Sequence, residues 1–324
     1  MSASALYAGA RAKAWEARSL TPEVAARLLD CKREDETVKI MAELGYEGSG
    51  AEAMLKNETE KIYSFLIECS PDDEITACFL KKNDYHNAKA LAKAKYSGGA
   101  DCSFILIGHA AIEPKELKDY VFGDNYTFLP LPMKGALEAI DAEFARGERS
   151  PQFIDAELNK AMYADITTLL EGKKREIAGR YFIAEIDLGN ISAARRMANF
   201  GLKAEVRRQY VPGGLISEND ILRLAECRDE AVSEILAFTP YSGLAKYLQQ
   251  AAFTGGALIA FERARDEYLL SLFKEVKYDI ESADYFYGFI IKKLTEIKNL
   301  RLLSALAAGA GKAEVKERLR DIYV

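Results

Sequence analysis

Apolar residues recur along this chain at the three- and four-residue steps that place side chains on one face of an α-helix. Three clear stripes are Ile62, Phe65, Leu66 and Cys69; Leu158, Met162, Ile166 and Leu169; and Phe261, Ala264, Tyr268, Leu272 and Val276. Strand-like alternation is nearly absent, and its best example, residues 103–107, is too short to outweigh its helical surroundings. The pattern predicts an all-α fold.

A motif in which an acidic residue is followed three positions later by asparagine occurs three times. The pairs are Asp84 and Asn87, Asp187 and Asn190, and Glu296 and Asn299. The asparagines lie 103 and 109 positions apart, and each copy runs through a helix-forming stretch with basic residues to a glycine: Gly98, Gly201 or Gly309. Glycine often follows the last residue of a helix because it adopts the left-handed conformation at low cost.

A second landmark lies between these copies, where an apolar residue precedes a helix-start signature. The three sites are Leu20-Thr21-Pro22, Ile112-Glu113-Pro114 and Ile216-Ser217-Glu218, and their first residues lie 92 and 104 positions apart. Thr21 and Ser217 suit the N-cap position, and the prolines suit the first turn. Two landmarks with similar spacing predict three homologous helical domains, at residues 1–108, 109–213 and 214–324.

Composition limits the classes of protein that fit. The 324 residues suffice for two or three cores, and 49% hydrophobic with 29% charged residues is typical of a globular protein. A formal net charge of -6 argues against nucleic-acid binding. No apolar run approaches the roughly 20 residues of a membrane span, because the best candidate, residues 251–261, contains Gly255 and Gly256. The first 14 residues lack a signal-peptide core, so we expect a cytoplasmic protein.

Catalytic and metal-binding patterns are mostly absent. His86 and His109 have no metal-ligand spacing, and the five cysteines form no CxxC pair. The stretch Gly309-Ala-Gly-Lys312 fails as a phosphate loop because residue 306 is Leu and residue 313 is Ala. We therefore expect no catalytic, cofactor-binding or metal-binding residues.

One acidic cluster supports an alternative. Asp72, Asp73 and Glu74 are adjacent, and a magnesium-dependent, all-α terpenoid-type synthase would use Asp72 and Asp73 as ligands. The cluster directly follows Pro71, and no second aspartate-rich helix accompanies it. We therefore favour an acidic helix start, which the helix dipole stabilises.

Two sets of polar residues are candidates for partner contact. The repeated acid and asparagine share a helix face, so they either satisfy neighbouring helix ends, which we favour, or form a ring that faces a shared partner. Four arginines dominate a basic run: Arg195, Arg196, Arg207 and Arg208. This run is interpreted as a solvated face or, alternatively, as a contact with an acidic partner or an anionic lipid surface.

Several segments resemble the C subunit of the bacterial and archaeal V-type ATPases, the counterpart of the eukaryotic d subunit. They are Tyr7-Ala-Gly-Ala-Arg11 with Arg18-Ser-Leu20, Asp187-Leu-Gly-Asn190-Ile191, Phe261-Glu-Arg-Ala-Arg-Asp266, Glu296-Ile-Lys-Asn299-Leu-Arg301 and the ending Arg320-Asp-Ile-Tyr323-Val324. The resemblance covers the chain in order, although residues 98–150 carry little of it. Gly9 stands where the family usually has a second aromatic residue.

The resemblance implies both a fold and a role. The fold would be three homologous helical domains that form a funnel with pseudo-threefold symmetry. The protein would be a non-catalytic subunit, peripheral to the membrane, that joins the axle subunits D and F to the membrane rotor ring and transmits torque for ion transport. It would carry no cofactor, and we expect at least one of the four arginines to contact a partner.

Overall fold

The chain folds as a succession of α-helices, described in this computed structural model for residues 3–147, 150–199, 201–249, 253–307 and 309–322. The helices are α1 (Ala5–Glu16), α2 (Pro22–Asp30), α3 (Glu34–Glu43), α4 (Ala51–Cys69), α5 (Asp73–Tyr96), α6 (Pro114–Phe122), α7 (Leu131–Ala145), α8 (Pro151–Leu169), α9 (Ile177–Asn199), α10 (Lys203–Gln209), α11 (Glu218–Glu226), α12 (Ala231–Leu236), α13 (Ala245–Leu248), α14 (Gly256–Ser271), α15 (Ala283–Ser304) and α16 (Lys312–Arg318). No strand occurs in the described ranges. The all-α prediction is confirmed.

Short 3-10 helices account for two departures from the sequence pattern. Ser103–Ile105, within the most strand-like segment, forms one such turn. The third apolar stripe does not lie on one continuous α-helix, because α14 ends at Ser271 and the chain continues as a 3-10 helix over Leu272–Val276. Tightening of this kind is common at the end of an α-helix.

The predicted helix starts and stops are formed by the expected residues. Thr21 and Ser217 are N-caps whose side chains accept a hydrogen bond from the main-chain N–H three residues later. Pro22 and Pro114 are the first residues of α2 and α6. The three glycines that end the motif copies all have positive φ: Gly98 at 88°, Gly201 at 68° and Gly309 at 95°.

The contacts divide the chain into two compact units. Unit 1 consists of Met1–Asp73, Glu176–Tyr181 and Val232–Val324, and unit 2 consists of Glu74–Arg175 and Phe182–Ala231. Unit 1 therefore combines the beginning and the end of the sequence. The division into three homologous domains stays a prediction.

The core of unit 1 is built around α15, which packs along α1 and α4. Trp15 on α1 contacts Phe65 on α4 with ring centroids 5.2 Å apart, and contacts Phe289 on α15 at 5.7 Å. Phe65 also contacts Phe286 at 5.2 Å. Edge-to-face and tilted arrangements of this kind add to the stability that burial of the rings provides.

Unit 2 is built around the packing of α5, α7, α8 and α9. Phe79 on α5 contacts Phe182 on α9 at 5.1 Å between centroids. Tyr85 on α5 donates a hydrogen bond to Asp165 on α8 at 2.8 Å, and α7 packs against α8. The helices α5 and α9 carry the first two copies of the motif, whose acidic and asparagine side chains are buried.

None of the helices in the described ranges combines the length and the apolar composition needed to cross a bilayer. Two of the sequence features lie partly outside those ranges. Residues 251 and 252 begin the longest apolar stretch, and Tyr323 and Val324 end the segment that resembles the family C-terminus.

Candidate functional site

Each motif asparagine holds a later segment of the chain by two hydrogen bonds. In every copy the side-chain Nδ2 donates to the carbonyl of one residue and Oδ1 accepts from the N–H of the same residue, at distances of 2.8 to 3.0 Å. The pairs are Asn87 with Ile107, Asn190 with Val211, and Asn299 with Arg320. We call each pair an asparagine clamp, because it fixes the segment after the glycine stop onto the motif helix.

The acidic residue of each copy accepts hydrogen bonds from main-chain N–H groups at a helix-start landmark. The contacts are Asp84 with Ile112 at 2.9 Å, Asp187 with Leu215 at 2.8 Å and Ile216 at 3.0 Å, and Glu296 with Leu20 at 3.0 Å. The first copy therefore holds the second landmark, the second holds the third, and the third holds the first. In the first two copies the clamped residue, Ile107 or Val211, lies shortly before the landmark that the acidic residue holds, whereas in the third copy Asn299 clamps Arg320 and Glu296 holds Leu20.

Gly214 allows the main chain of the third landmark to come close to the Asp187 carboxylate. A Cβ atom at Gly214 would lie 2.0 Å from Oδ1 of Asp187, far inside the contact distance. The residue must therefore lack a side chain for the loop to reach the carboxylate.

Glu296 also belongs to a buried cluster of charges in unit 1. Its Oε1 lies 2.6 Å from Nζ of Lys293 and accepts a hydrogen bond from the Tyr46 hydroxyl at 2.6 Å. Lys293 also lies 3.5 Å from Glu58, and all four side chains are at most 5% exposed. Burial, together with the adjacent Glu296, raises the pKa of Tyr46 far above its usual range.

At Asp84 the effect of burial on the pKa is larger than that of the neighbouring hydrogen bonds and charges. Burial raises the pKa of this carboxyl to about 6, and main-chain hydrogen bonds and Lys81 offset only part of the effect. The cost of desolvating the carboxylate thus exceeds the stabilisation that its hydrogen-bond donors provide.

None of the six motif side chains is more than 3% exposed. Five of them offer a partner protein almost no surface, and the sixth, Asn190, contributes only a small area to a groove of unit 2. Their chemistry in this structure is the binding of main-chain groups, which sets the position of the segments that do reach the surface.

The four arginines occupy different environments. Arg195 is only 3% exposed, donates to the Leu224 carbonyl at 3.2 Å and pairs with Asp229. The other three are wholly or largely on the surface: Arg207 pairs with Glu218 at 3.2 Å, Arg208 pairs with Glu143 at 3.0 Å and lies over the Phe153 ring, and Arg196 is exposed. Contact with a partner stays a prediction, for which burial leaves Arg195 poorly placed.

Arg196 lies at the edge of an open groove in unit 2, between α8 and α9. The groove has a volume of about 670 Å³. Gln152, Asp155, Ala156, Asn159 and Tyr163 line it from α8, Ile186, Gly189, Asn190, Ala193 and Met197 line it from α9, and Leu202, Gln209 and Val211 close one end. It therefore begins beside the second asparagine clamp.

No metal centre is formed by the described part of the chain: nowhere in it do three histidine, cysteine or acidic side chains converge. His86 contacts the Ile105 carbonyl at 3.0 Å through Nε2. Around the acidic cluster, the Tyr287 hydroxyl donates to the Asp72 carbonyl at 2.7 Å, and Glu74 pairs with Lys173 at 3.1 Å. The terpenoid-type alternative based on Asp72 and Asp73 finds no support in these contacts.

The sequence pattern identifies the motif residues but not the groups that they bind. The clamp partners are main-chain groups 20 or 21 residues later, which no side-chain pattern identifies. The groove was also missed, although one signal was available. The residue before the motif asparagine is His86 in the first copy and Lys298 in the third, but Gly189 in the second.

Comparison with known proteins gives one family. A model of the ATP synthase (C/AC39) subunit matches residues 8–317. The C subunit of the V-type sodium ATPase of Enterococcus hirae is 26% identical over 275 residues, which cover 84% of this chain and 82% of that protein. The C subunit of the V-type ATP synthase of Thermus thermophilus is 26% identical over 256 residues (76% and 74%), and that of the A-type ATP synthase of Halobacterium salinarum is 24% identical over 258 residues (75% and 73%).

Proposed function

The chain belongs to the ATP synthase (C/AC39) subunit family, and from this premise we propose that it connects the axle of a V-type rotary ATPase to the membrane rotor ring. It is the C subunit of a V-type ATPase, a structural and non-catalytic part of the complex. The family match over residues 8–317 is the observation that carries the proposal.

The proposed partners are the axle subunits D and F on one side and the rotor ring on the other. Torque generated by ATP hydrolysis in the soluble head must cross the gap between axle and ring before ions can move. The chain would remain at the cytoplasmic surface of the membrane, held there by the complex rather than by a membrane span of its own.

Such a connector must resist twisting. Closely packed helices deform little, because a core packed to crystal-like density leaves few voids into which side chains can shift. The three asparagine clamps support this role, since each joins a surface segment to a buried helix by two hydrogen bonds. The Glu296–Leu20 contact adds a bond between the last and first parts of the chain.

We further propose that residues 1–108, 109–213 and 214–324 are three homologous domains arranged as a funnel with pseudo-threefold symmetry. The support is the recurrence of the same clamp and the same carboxylate contact in all three copies. A structure of the assembled complex tests it. Three segments that do not superimpose on one another would contradict the triplication.

Affinity purification from native membranes tests the assignment to the complex. A tagged chain expressed at its natural level is expected to recover head and ring subunits in a mild detergent. Recovery of the chain alone would contradict the proposed function, and so would magnesium-dependent turnover of a diphosphate by that lone chain.

Removal of the chain tests its role as a connector. Membranes from cells that lack it are expected to retain ATP hydrolysis by the head but to lose ATP-driven ion transport, and the purified chain should restore transport. Transport at the normal rate without the chain would rule out torque transmission through it.

A further inference from the structure

We propose that the groove between α8 and α9 binds an amphipathic helix of a neighbouring subunit, which presents aliphatic side chains to the groove and a carboxylate to Arg196. The inference rests on the proposed function and specifies one docking surface for it. Four observations support it: the shape of the groove, the residues that the third copy has at the corresponding positions, a glycine that the packing does not require, and an arginine that has no carboxylate partner among the described residues.

Both walls of the groove follow helical periodicity. Its lining residues on α8 extend from Gln152 to Tyr163, and those on α9 extend from Ile186 to Met197, at the i, i+3, i+4 and i+7 spacing of one helix face. Each wall thus covers about three turns, or roughly 16 Å at 1.5 Å per residue. A groove of this length between two helices accommodates one face of a third helix.

The third motif copy carries two cationic side chains at the corresponding positions of the motif and its clamp. Lys298 and Arg320 take the places of Gly189 and Val211, one before the asparagine and the other in its clamp. Nζ of Lys298 and Nε of Arg320 lie 3.3 and 3.1 Å from Oδ2 of Asp266, whose side chain is 6% exposed. Although burial opposes it, the surrounding cations hold the pKa of Asp266 below its usual value.

The second copy has no long side chain at either position. Gly189 has no side chain, and the shorter Val211 carries no group that could reach across the groove. In the first copy His86 occupies the position before the asparagine and contacts a main-chain carbonyl. Only the second copy has an exposed glycine there.

Gly189 is not required by the packing of the chain itself. It lies within α9, where glycine is less favourable than alanine, and no heavy atom lies within 4 Å of a Cβ placed on it. Its backbone does not need positive φ. The space that the missing side chain leaves is therefore available to a group from outside the chain.

The charges at the groove favour an acidic partner. Among the described residues, no carboxylate lies within 4.0 Å of Arg196, whereas Arg207 and Arg208 both have carboxylate partners. Asp155, the acidic residue of the groove, is already paired with Lys93 at 2.7 Å. The exposed Leu202 and the adjoining Met197 and Val211 supply the apolar surface for the aliphatic face of the helix.

Two substitutions and one matched control test the proposal. The Gly189→Leu variant fills the groove, and the Arg196→Glu variant reverses its unpaired charge. Gly135→Leu is the control, because Gly135 is also an exposed glycine within a helix with no atom within 4 Å of a placed Cβ. Each full-length variant is titrated against ATPase complex purified from cells that lack this chain, and thermal unfolding confirms that each is folded.

We expect Gly189→Leu and Arg196→Glu each to raise the Kd for that complex at least tenfold, and Gly135→Leu to leave it unchanged. A photo-crosslinking amino acid at Ala193 should crosslink to a helical peptide of another subunit that contains Asp or Glu. Unchanged affinity in both groove variants would overturn the proposal, as would a crosslink only to a second copy of this chain or to lipid. If the unmodified chain fails to bind the complex, the proposed function itself fails, and the groove assignment fails with it.

Discussion

At the scale of single residues, the motif asparagines are unusual because each satisfies both main-chain groups of one distant residue. A neutral hydrogen bond contributes about 1 kcal/mol, but a buried donor or acceptor left without a partner costs about 1–3 kcal/mol. The loss of one asparagine side chain therefore affects stability mainly through the two main-chain groups that it leaves behind.

We expect Asn190→Ala to lower the free energy of unfolding by about 2–4 kcal/mol, because the N–H and carbonyl of Val211 lose their side-chain partner. The exposed Asn125→Ala is the control and should change stability by less than about 0.5 kcal/mol. Urea unfolding followed by circular dichroism measures both. Equal stabilities of the two variants would show that the clamp contributes nothing.

The buried carboxyl of Asp84 should make stability depend on pH. Because its pKa is raised from 3.8 to about 6, the native state binds this proton more tightly than the unfolded state does. Its contribution to stability is present in full below pH 3.8 and is lost as the pH rises through 6. This difference in pKa between the native and the unfolded state corresponds to about 3 kcal/mol of stability at most.

Asp84→Asn should abolish this dependence while its carbonyl oxygen still accepts the hydrogen bond from Ile112. We expect the variant to gain stability relative to the natural chain as the pH increases from about 4.5 to about 7.5, by about 1–3 kcal/mol over that range. Urea unfolding at several pH values measures the difference. A difference that stays constant with pH would contradict the assignment.

At the scale of helices, local signals in the sequence were sufficient to locate several ends. Thr21 and Ser217 form caps, and three glycines adopt left-handed backbone, because these features depend only on neighbouring residues. The end of α14 at Ser271 was not predicted, because the four-residue step from Leu272 to Val276 continues the α-helical spacing although the backbone there forms a 3-10 helix. Periodicity alone does not distinguish the two over a single turn.

Helix α1 depends on a close approach that only glycine permits. A Cβ at Gly9 would lie 2.0 Å from the Ile280 carbonyl oxygen, so a side chain would push α1 away from the segment before α15. This contact gives a physical reason why an aromatic residue does not fit at this position. The sequence showed the departure from the family pattern but not its cause.

We expect Gly9→Ala to lower the free energy of unfolding by about 1–3 kcal/mol, because the backbone must shift to accept the new atom. The same substitution at Gly135, where the space is open, should raise stability by up to about 1 kcal/mol through helix propensity. Thermal and urea unfolding compare the two variants. If both variants change stability in the same direction, the close approach of Gly9 to Ile280 does not determine how α1 packs.

At the scale of the whole molecule, the contacts that join distant parts of the sequence were the least predictable. Leu20 and Glu296 are 276 residues apart, and the pairing requires α1, α2 and α15 to be in place first. The repeated motif identified Glu296 as important. It did not reveal that its partner belongs to the first landmark, because the relation between copies is cyclic rather than local.

The buried charge cluster of Glu58, Lys293 and Glu296 should affect the stability of unit 1 but not that of unit 2. Lys293→Met leaves Glu58 and Glu296 buried without their cation, and we expect a loss of about 3–5 kcal/mol. Lys61→Met removes an exposed pair with Glu47 and should cost less than about 1 kcal/mol. Hydrogen exchange should accelerate in α1 and α15 of the first variant and stay unchanged in α7 and α8, because exchange reports cooperative units. Uniform acceleration throughout the chain would contradict independent units.

The hydrogen bond between Glu296 and Leu20 also has a consequence for biosynthesis. At about 5–20 residues per second, the ribosome needs on the order of 14 to 55 s to synthesise the 276 residues between the two partners. During that interval Trp15 and the small buried residues of α1 have no α15 to cover them. Unit 1 can thus be completed only after α15 has been synthesised, and chaperones that bind nascent chains should associate with the segment around α1 until then.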